Sequence, residues 1–123
     1  MNLAIVGSRE IENISLEAYI PEDVDEIITG GARGVDNCAA EYAVAHGLKL
    51  TEILPEYSRY GRGAPIVRNR KIVDAADKVI VFWNGSSAGS QSVIDYAANI
   101  GRPCEVILCP TSLLQNNDEF AII

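Results

Sequence analysis

The sequence is short of most residues that build metal centres, disulfide frameworks and nucleic-acid surfaces. It has one histidine, three cysteines, one tryptophan and two phenylalanines, and its 10 basic residues are outnumbered by 17 acidic ones. With His46 alone, a histidine-based metal cluster is excluded. Cys38, Cys104 and Cys109 form an odd set without metal-ligand spacing, which predicts reduced thiols used as small core hydrophobes. Cys104 and Cys109, five positions apart, should face opposite sides of a strand. No run approaches the ~18 apolar residues of a membrane span. The chain opens directly into Leu3-Ala4-Ile5-Val6-Gly7, without a basic region and cleavage site, so a soluble cytoplasmic protein is expected. A formal charge of −7 argues against binding duplex DNA or an anionic membrane, because that affinity comes from many Lys and Arg side chains.

The 123 residues, 48% of them hydrophobic, suit one domain with a true core. Acidic residues are missing altogether between Tyr57 and Val73, where Arg59, Arg62, Arg68, Arg70 and Lys71 supply half of the basic residues. Setting these five charges aside leaves −12 for the rest of the chain. A basic segment in an acidic body suits a small anionic ligand better than a long polyanion.

Short runs rich in Ile and Val recur at Leu3–Val6, Glu26–Thr29, Leu48–Leu54, Lys78–Trp83 and Cys104–Leu108. They read as strands buried on both faces of a parallel sheet. Helical patterns fall between them at about 11–20, 34–46, 65–76 and 90–100. Gly47 and Gly101 are placed as left-handed C-terminal caps, and Pro65 as an early helical residue. Glu41-Tyr42-Ala43 before Gly47 is echoed by Asp95-Tyr96-Ala97 before Gly101, as two similar halves would produce. The expected fold is α/β: a Rossmann-like, doubly wound, mainly parallel five-stranded sheet flanked by helices. The domain is expected over 1–110, with an irregular, mobile loop from Pro55 to Pro65. From Pro110 the chain has no clear period, and a tail over 111–123 could dock as an extra strand, cover an edge or fray.

In such a sheet, ligands bind beyond the carboxyl ends of the strands. Three glycine-rich turns fall at that edge: Gly7-Ser8-Arg9, Gly30-Gly31-Ala32-Arg33-Gly34, and Gly85-Ser86-Ser87-Ala88-Gly89-Ser90. Glycine lets backbone N–H groups approach a ligand, and a helix N-terminus adds partial positive charge, which together describe a phosphate site. Arg9, Arg33 and the basic segment bring seven of the ten basic residues to this edge on the expected layout. Trp83, Tyr57 and Tyr60 lie there too, where they could stack on a base, although a plug at the sheet end or a dimer contact would equally explain Trp83.

Gly7-Ser8-Arg9, Thr29 to Asp36, Ala64-Pro65-Ile66-Val67-Arg68-Asn69-Arg70 with Ala76-Asp77, and Phe82-Trp83-Asn84-Gly85 with Gly89-Ser90-Gln91-Ser92 resemble, in order, the motifs of the SLOG superfamily. The resemblance is to its stand-alone YspA-like branch, relatives of the DprA/Smf and "lonely guy" proteins, and it spans residues 2–108. It implies a Rossmann-like fold binding a nucleotide or nucleotide-derived ligand. The lonely-guy phosphoribohydrolases carry a Pro-Gly-Gly-x-Gly-Thr-x-x-Glu motif whose glutamate works with an arginine on the N-glycosidic bond; Val93 stands at that glutamate position and cannot transfer a proton. Ala88 stands where YspA-like proteins often have a basic residue. Resemblance to DprA would imply single-stranded DNA binding, which the acidic surface opposes.

The expected function is therefore a sensor or sequestering module rather than an enzyme, with no required cofactor. Gly30 to Gly34 would hold phosphate through backbone N–H groups, and Arg9, Arg33 and Arg68 would neutralise it. Ser90 and Ser92 would bond phosphate or ribose, Asn69 would orient the loop, and Trp83 would flank the base. Asp36 would cap its helix or accept from a ribose hydroxyl. Two alternatives stand beside this reading: a nucleoside monophosphate N-glycosidase using a displaced carboxylate, Asp36 or Asp95, and a protein interaction module built on Trp83, the tyrosines and the apolar tail. A homodimer is expected by analogy with the superfamily.

Overall fold

The computed structural model describes residues 1–109. The tail expected over 111–123 lies outside the described residues. The strands are β1 (Asn2–Gly7), β2 (Glu26–Thr29), β3 (Lys49–Glu52), β4 (Lys78–Trp83) and β5 (Cys104–Leu108). The helices are α1 (Val35–Ala45), a single turn α2 (Tyr57–Tyr60) continued by a 3-10 turn at Gly61–Gly63, α3 (Ala64–Ala75) and α4 (Ala88–Ile100). All strand pairs are parallel, in the order β3-β2-β1-β4-β5. The expected doubly wound sheet is thus present, and among the described residues it is wholly parallel.

The central strands show why short continuous apolar runs specify such a sheet. In β1, Leu3 and Ile5 pack on one face while Ala4 and Val6 pack on the other; in β4, Ile80 and Phe82 oppose Val79 and Val81. The period of two is present, but both faces are covered, so no polar alternation appears. One face receives α1 through Val35, Ala39 and Ala43. The other receives α3 and α4 through Ile72, Val73, Val93 and Ala97. Cys109 packs against the first face and Cys104 against the second, as strand alternation requires, and Cys38 packs on the first face from α1. Burial pushes the Cys104 and Cys109 thiols above their ordinary pKa.

Gly47 and Gly101 both take left-handed φ, +67° and +73°, at the ends of α1 and α4. Leu48 N–H donates to the Ala43 carbonyl (2.9 Å) and Arg102 N–H to that of Ala97 (2.8 Å), closing the last turns. His46, at the C-terminus of α1, meets Glu17 at 3.0 Å and stacks on Tyr42.

Two expectations are corrected. The segment 11–20 is not a helix. Asn13 sits at φ +56°, a left-handed value that interrupts a right-handed helix. Ile11, Leu16 and Val24 nevertheless bury themselves on the α1 face, and Tyr19 meets Phe82 edge to face at 5.2 Å. An irregular strap covers the sheet where a crossover helix was expected. Conversely, the loop expected over 55–65 is largely helical, comprising α2, the 3-10 turn and the start of α3. Each piece is too short to leave a periodic apolar pattern.

Candidate functional site

In the order 3-2-1-4-5 the chain winds outward in both directions from β1 and β4, so the crevice beyond their carboxyl ends is the topological switch point. A cavity of about 360 Å³ lies there. Gly7, Arg9 and Glu10 contribute from the β1 turn, Ala32 and Asp36 from the β2 turn and α1, and Pro65, Arg68, Asn69 and Ile72 from α3. Asn84, Ser86, Ser87, Gly89, Ser90 and Val93 complete it from the β4 turn and α4.

Arg68 is the centre of the arrangement. It is only 8% exposed, yet makes no ion pair with a carboxylate among the described residues. Its Nη1 donates to the Gly30 carbonyl (2.7 Å) and its Nε to Asn69 Oδ1 (2.8 Å). Burial pulls the guanidinium below its ordinary pKa, and the nearby Asp36 charge opposes that shift. Asn69 Nδ2 in turn donates to Ser92 Oγ (3.2 Å) and the Gly89 carbonyl (3.4 Å), tying α3 to the first turn of α4.

Asp36, 5% exposed, bonds the N–H of the same residue, Gly30. Its Oδ2 accepts from Gly30 N–H (3.1 Å) and Ala32 N–H (3.3 Å). Gly30 therefore bonds both charged groups, its N–H donating to the carboxylate and its carbonyl accepting from the guanidinium. A Cβ at Gly30 would stand 2.6 Å from Arg68 Nη1 and 2.9 Å from Asp36 Oδ2, so glycine is needed here for close approach. Burial raises the Asp36 pKa, while the Ala32 N–H, the Arg68 charge and the Gly30 N–H work against that rise.

Asp36 bears directly on the phosphate site expected over Gly30–Gly34. Two of its N–H groups are already bonded to the protein's own carboxylate, and Gly30, Gly31, Arg33 and Gly34 do not line the cavity. Gly34, at φ +79°, is pressed against the Arg9 and Ile11 carbonyls, and the Arg33 side chain is exposed. The turn that does face the cavity with open groups is the start of α4. Asn84 Oδ1 accepts from Ser86 N–H (2.9 Å) and Ser87 N–H (2.8 Å), forming an Asx turn that delivers the chain to the helix. Ser87 caps α4 by accepting from Ser90 N–H. The Ser90 side chain, on a residue 5% exposed, has no hydrogen-bond partner among the described residues and lines the cavity.

The other expected site residues hold the scaffold. Ser8 Oγ accepts from Asn84 N–H (3.1 Å) and Ser8 N–H donates to the Phe82 carbonyl, stitching the β1 and β4 turns together. Trp83 packs on the α3/α4 face and donates Nε1–H to the Ser87 carbonyl (3.1 Å), so it fixes this turn rather than lining the cavity. Gly85, at φ +89°, permits the turn itself. Ser92 Oγ donates to the Gly89 carbonyl (2.7 Å) and lines a separate groove with Asp95 on the outer side of α3 and α4. The basic segment also disperses: Arg59 and Lys71 pair with Glu56, and Arg70 lies over the Tyr96 ring. Only Arg68 of that segment lines the cavity, joined by Arg9. Glu10, Asn84, Ser86 and Ser87 were not among the expected site residues. The Asn84-Gly85 turn pair was a visible signal for the last three; Glu10 carried none, since its charge opposes an anion.

Comparisons of the chain with protein-family models, with curated proteins and with solved structures give no match.

Proposed function

We propose that the protein binds a nucleotide or nucleotide-derived small anion in the switch-point cavity and acts as a sensor or sequestering module. The single observation that carries this reading is Arg68, a buried cation beside a cavity without a paired carboxylate. A buried charge is costly unless it is paired and hydrogen-bonded, and an anion in the cavity would complete its coordination. Arg9, the Ser90 hydroxyl and the N-terminus of α4 support the same site. Membership of the SLOG superfamily and a homodimeric state belong to this proposal through the motif resemblance.

Hydrolysis of a glycosidic bond is not favoured at the positions considered for it. Val93 lines the cavity where the resemblance would require glutamate. Asp36 is engaged by two backbone N–H groups, and Asp95 sits in the outer groove, accepting from Gln91.

Titration calorimetry with mono-, di- and cyclic nucleotides and ADP-ribose is the test. At least one should bind, and Arg68→Ala should weaken it about ten- to a hundredfold, the worth of a hydrogen bond to a charged group. Binding by none of them, or affinity unchanged in the variant, would overturn the proposal.

A further inference from the structure

The cavity is not simply cationic: Arg9 and Arg68 share it with Glu10 and Asp36. Asp36 Oδ2 is bonded internally, and its Oδ1 is buried without a hydrogen-bond partner among the described residues. Glu10 is exposed, and its Oε2 accepts from Asn84 Nδ2 (2.9 Å). Oε1 has no partner among the described residues. The same Asn84 amide uses its oxygen to hold Ser87 N–H, so one side-chain amide separates the Glu10 carboxylate from the start of α4. Asn84 thus holds the Glu10 carboxylate, by a hydrogen bond, among the residues that line the cavity with Arg9 and Arg68.

A carboxylate offers only acceptors. It repels a second phosphate and rewards a ligand group that donates, such as a hydroxyl. Resting on the proposed anion site, we infer that Glu10 is a specificity-determining residue that selects a phosphate monoester bearing free sugar hydroxyls, a ribose 5-phosphate group, over a pyrophosphate or a bare phosphate. Arg68, Ser90 and the start of α4 take the phosphate, and Glu10 Oε1 accepts from a ribose hydroxyl. The cavity, about 360 Å³, lies at the small end of the ~300–1,000 Å³ usual for ligand sites, which suits a single nucleotide unit.

The experiment measures binding of inorganic phosphate, ribose 5-phosphate and 2-deoxyribose 5-phosphate to the wild type, Glu10→Gln and Arg68→Ala, with thermal unfolding of each variant as a control. The wild type should prefer ribose 5-phosphate to its 2-deoxy analogue by about tenfold or more, as a hydrogen bond to a charged group implies. Glu10→Gln, which keeps only a neutral acceptor, should reduce that preference several-fold and leave inorganic phosphate binding equal or tighter, because a like charge is gone. Equal binding of the two sugar phosphates by the wild type would overturn the role of Glu10 while leaving the anion site intact. Parallel weakening of all three ligands in Glu10→Gln would also overturn it, reducing Glu10 to an anchor for Asn84. Failure of all three to bind, or indifference of phosphate binding to Arg68→Ala, would overturn the anion site itself and the inference with it.

Discussion

At the scale of single residues, Asp36 shows how a side chain can take the place assigned to a ligand. Glycine-rich turns before a helix are read as phosphate sites because their N–H groups are free. Here an aspartate in the first turn of α1 folds back and accepts from Gly30 and Ala32. Asp36→Ala leaves the buried Gly30 N–H and the part-buried Ala32 N–H without their acceptor and is expected to cost roughly 1–3 kcal/mol in denaturant unfolding. Asp36→Asn keeps an acceptor and should cost less. The two residues also differ in their response to pH. Because the folded Asp36 pKa is raised, the folded state binds its proton more readily than the unfolded chain. Its stabilising share is complete below the ordinary carboxylate value of ~3.9 and is lost as pH rises through the raised folded value. The stability advantage of the wild type over Asp36→Asn should therefore be largest in acid and shrink as pH climbs through that window.

At the scale of elements, the strands and the main helices were legible because each carries its own signal: apolar runs of four to six residues, and glycine where a left-handed cap closes a helix. The strap over 11–20 was not legible, since Ile11 and Ile14 sit at a helical spacing and nothing local shows that Asn13 will turn left-handed. Sheet burial, supplied by strands distant in sequence, satisfies those side chains without a helix. Glycine roles separate in the same way. Gly101→Ala meets no atom within 4 Å and pays only for its left-handed backbone, about 1–2 kcal/mol. Gly34→Ala costs more already at the backbone, since φ +79° with ψ −128° lies outside the left-handed helical region of Gly101, and it also puts a Cβ 2.6 Å from the Arg9 carbonyl, a backbone atom that cannot swing away. Chemical denaturation should rank Gly34→Ala as clearly the more destabilising of the two.

At the scale of the whole molecule, net charge and its distribution answer different questions. The −7 total describes a surface that repels long polyanions, whereas the cavity chemistry depends on two arginines, one buried and one at the β1 turn. The local excess of base between Tyr57 and Val73 overstated the charge delivered to the site. Glu56, just outside that window, pairs with Arg59 and Lys71, and Tyr96, far along the chain, underlies Arg70. A gel-shift or anisotropy titration at 0.15 M salt is expected to show no binding of a short duplex DNA. Clear duplex binding there would contradict this account of the surface.

The order of apolar runs and glycines was enough to specify a parallel sheet and to locate its carboxyl edge, because strand burial and positive φ are properties of short stretches of chain. Which groups at that edge remain free for a ligand was decided by tertiary structure alone. Arg68 and the Gly30 carbonyl it bonds lie 38 residues apart, and Glu10 and Asn84 lie 74 apart. Whether a donor or a charge is already spent depends on such distant partners, and no local pattern records them.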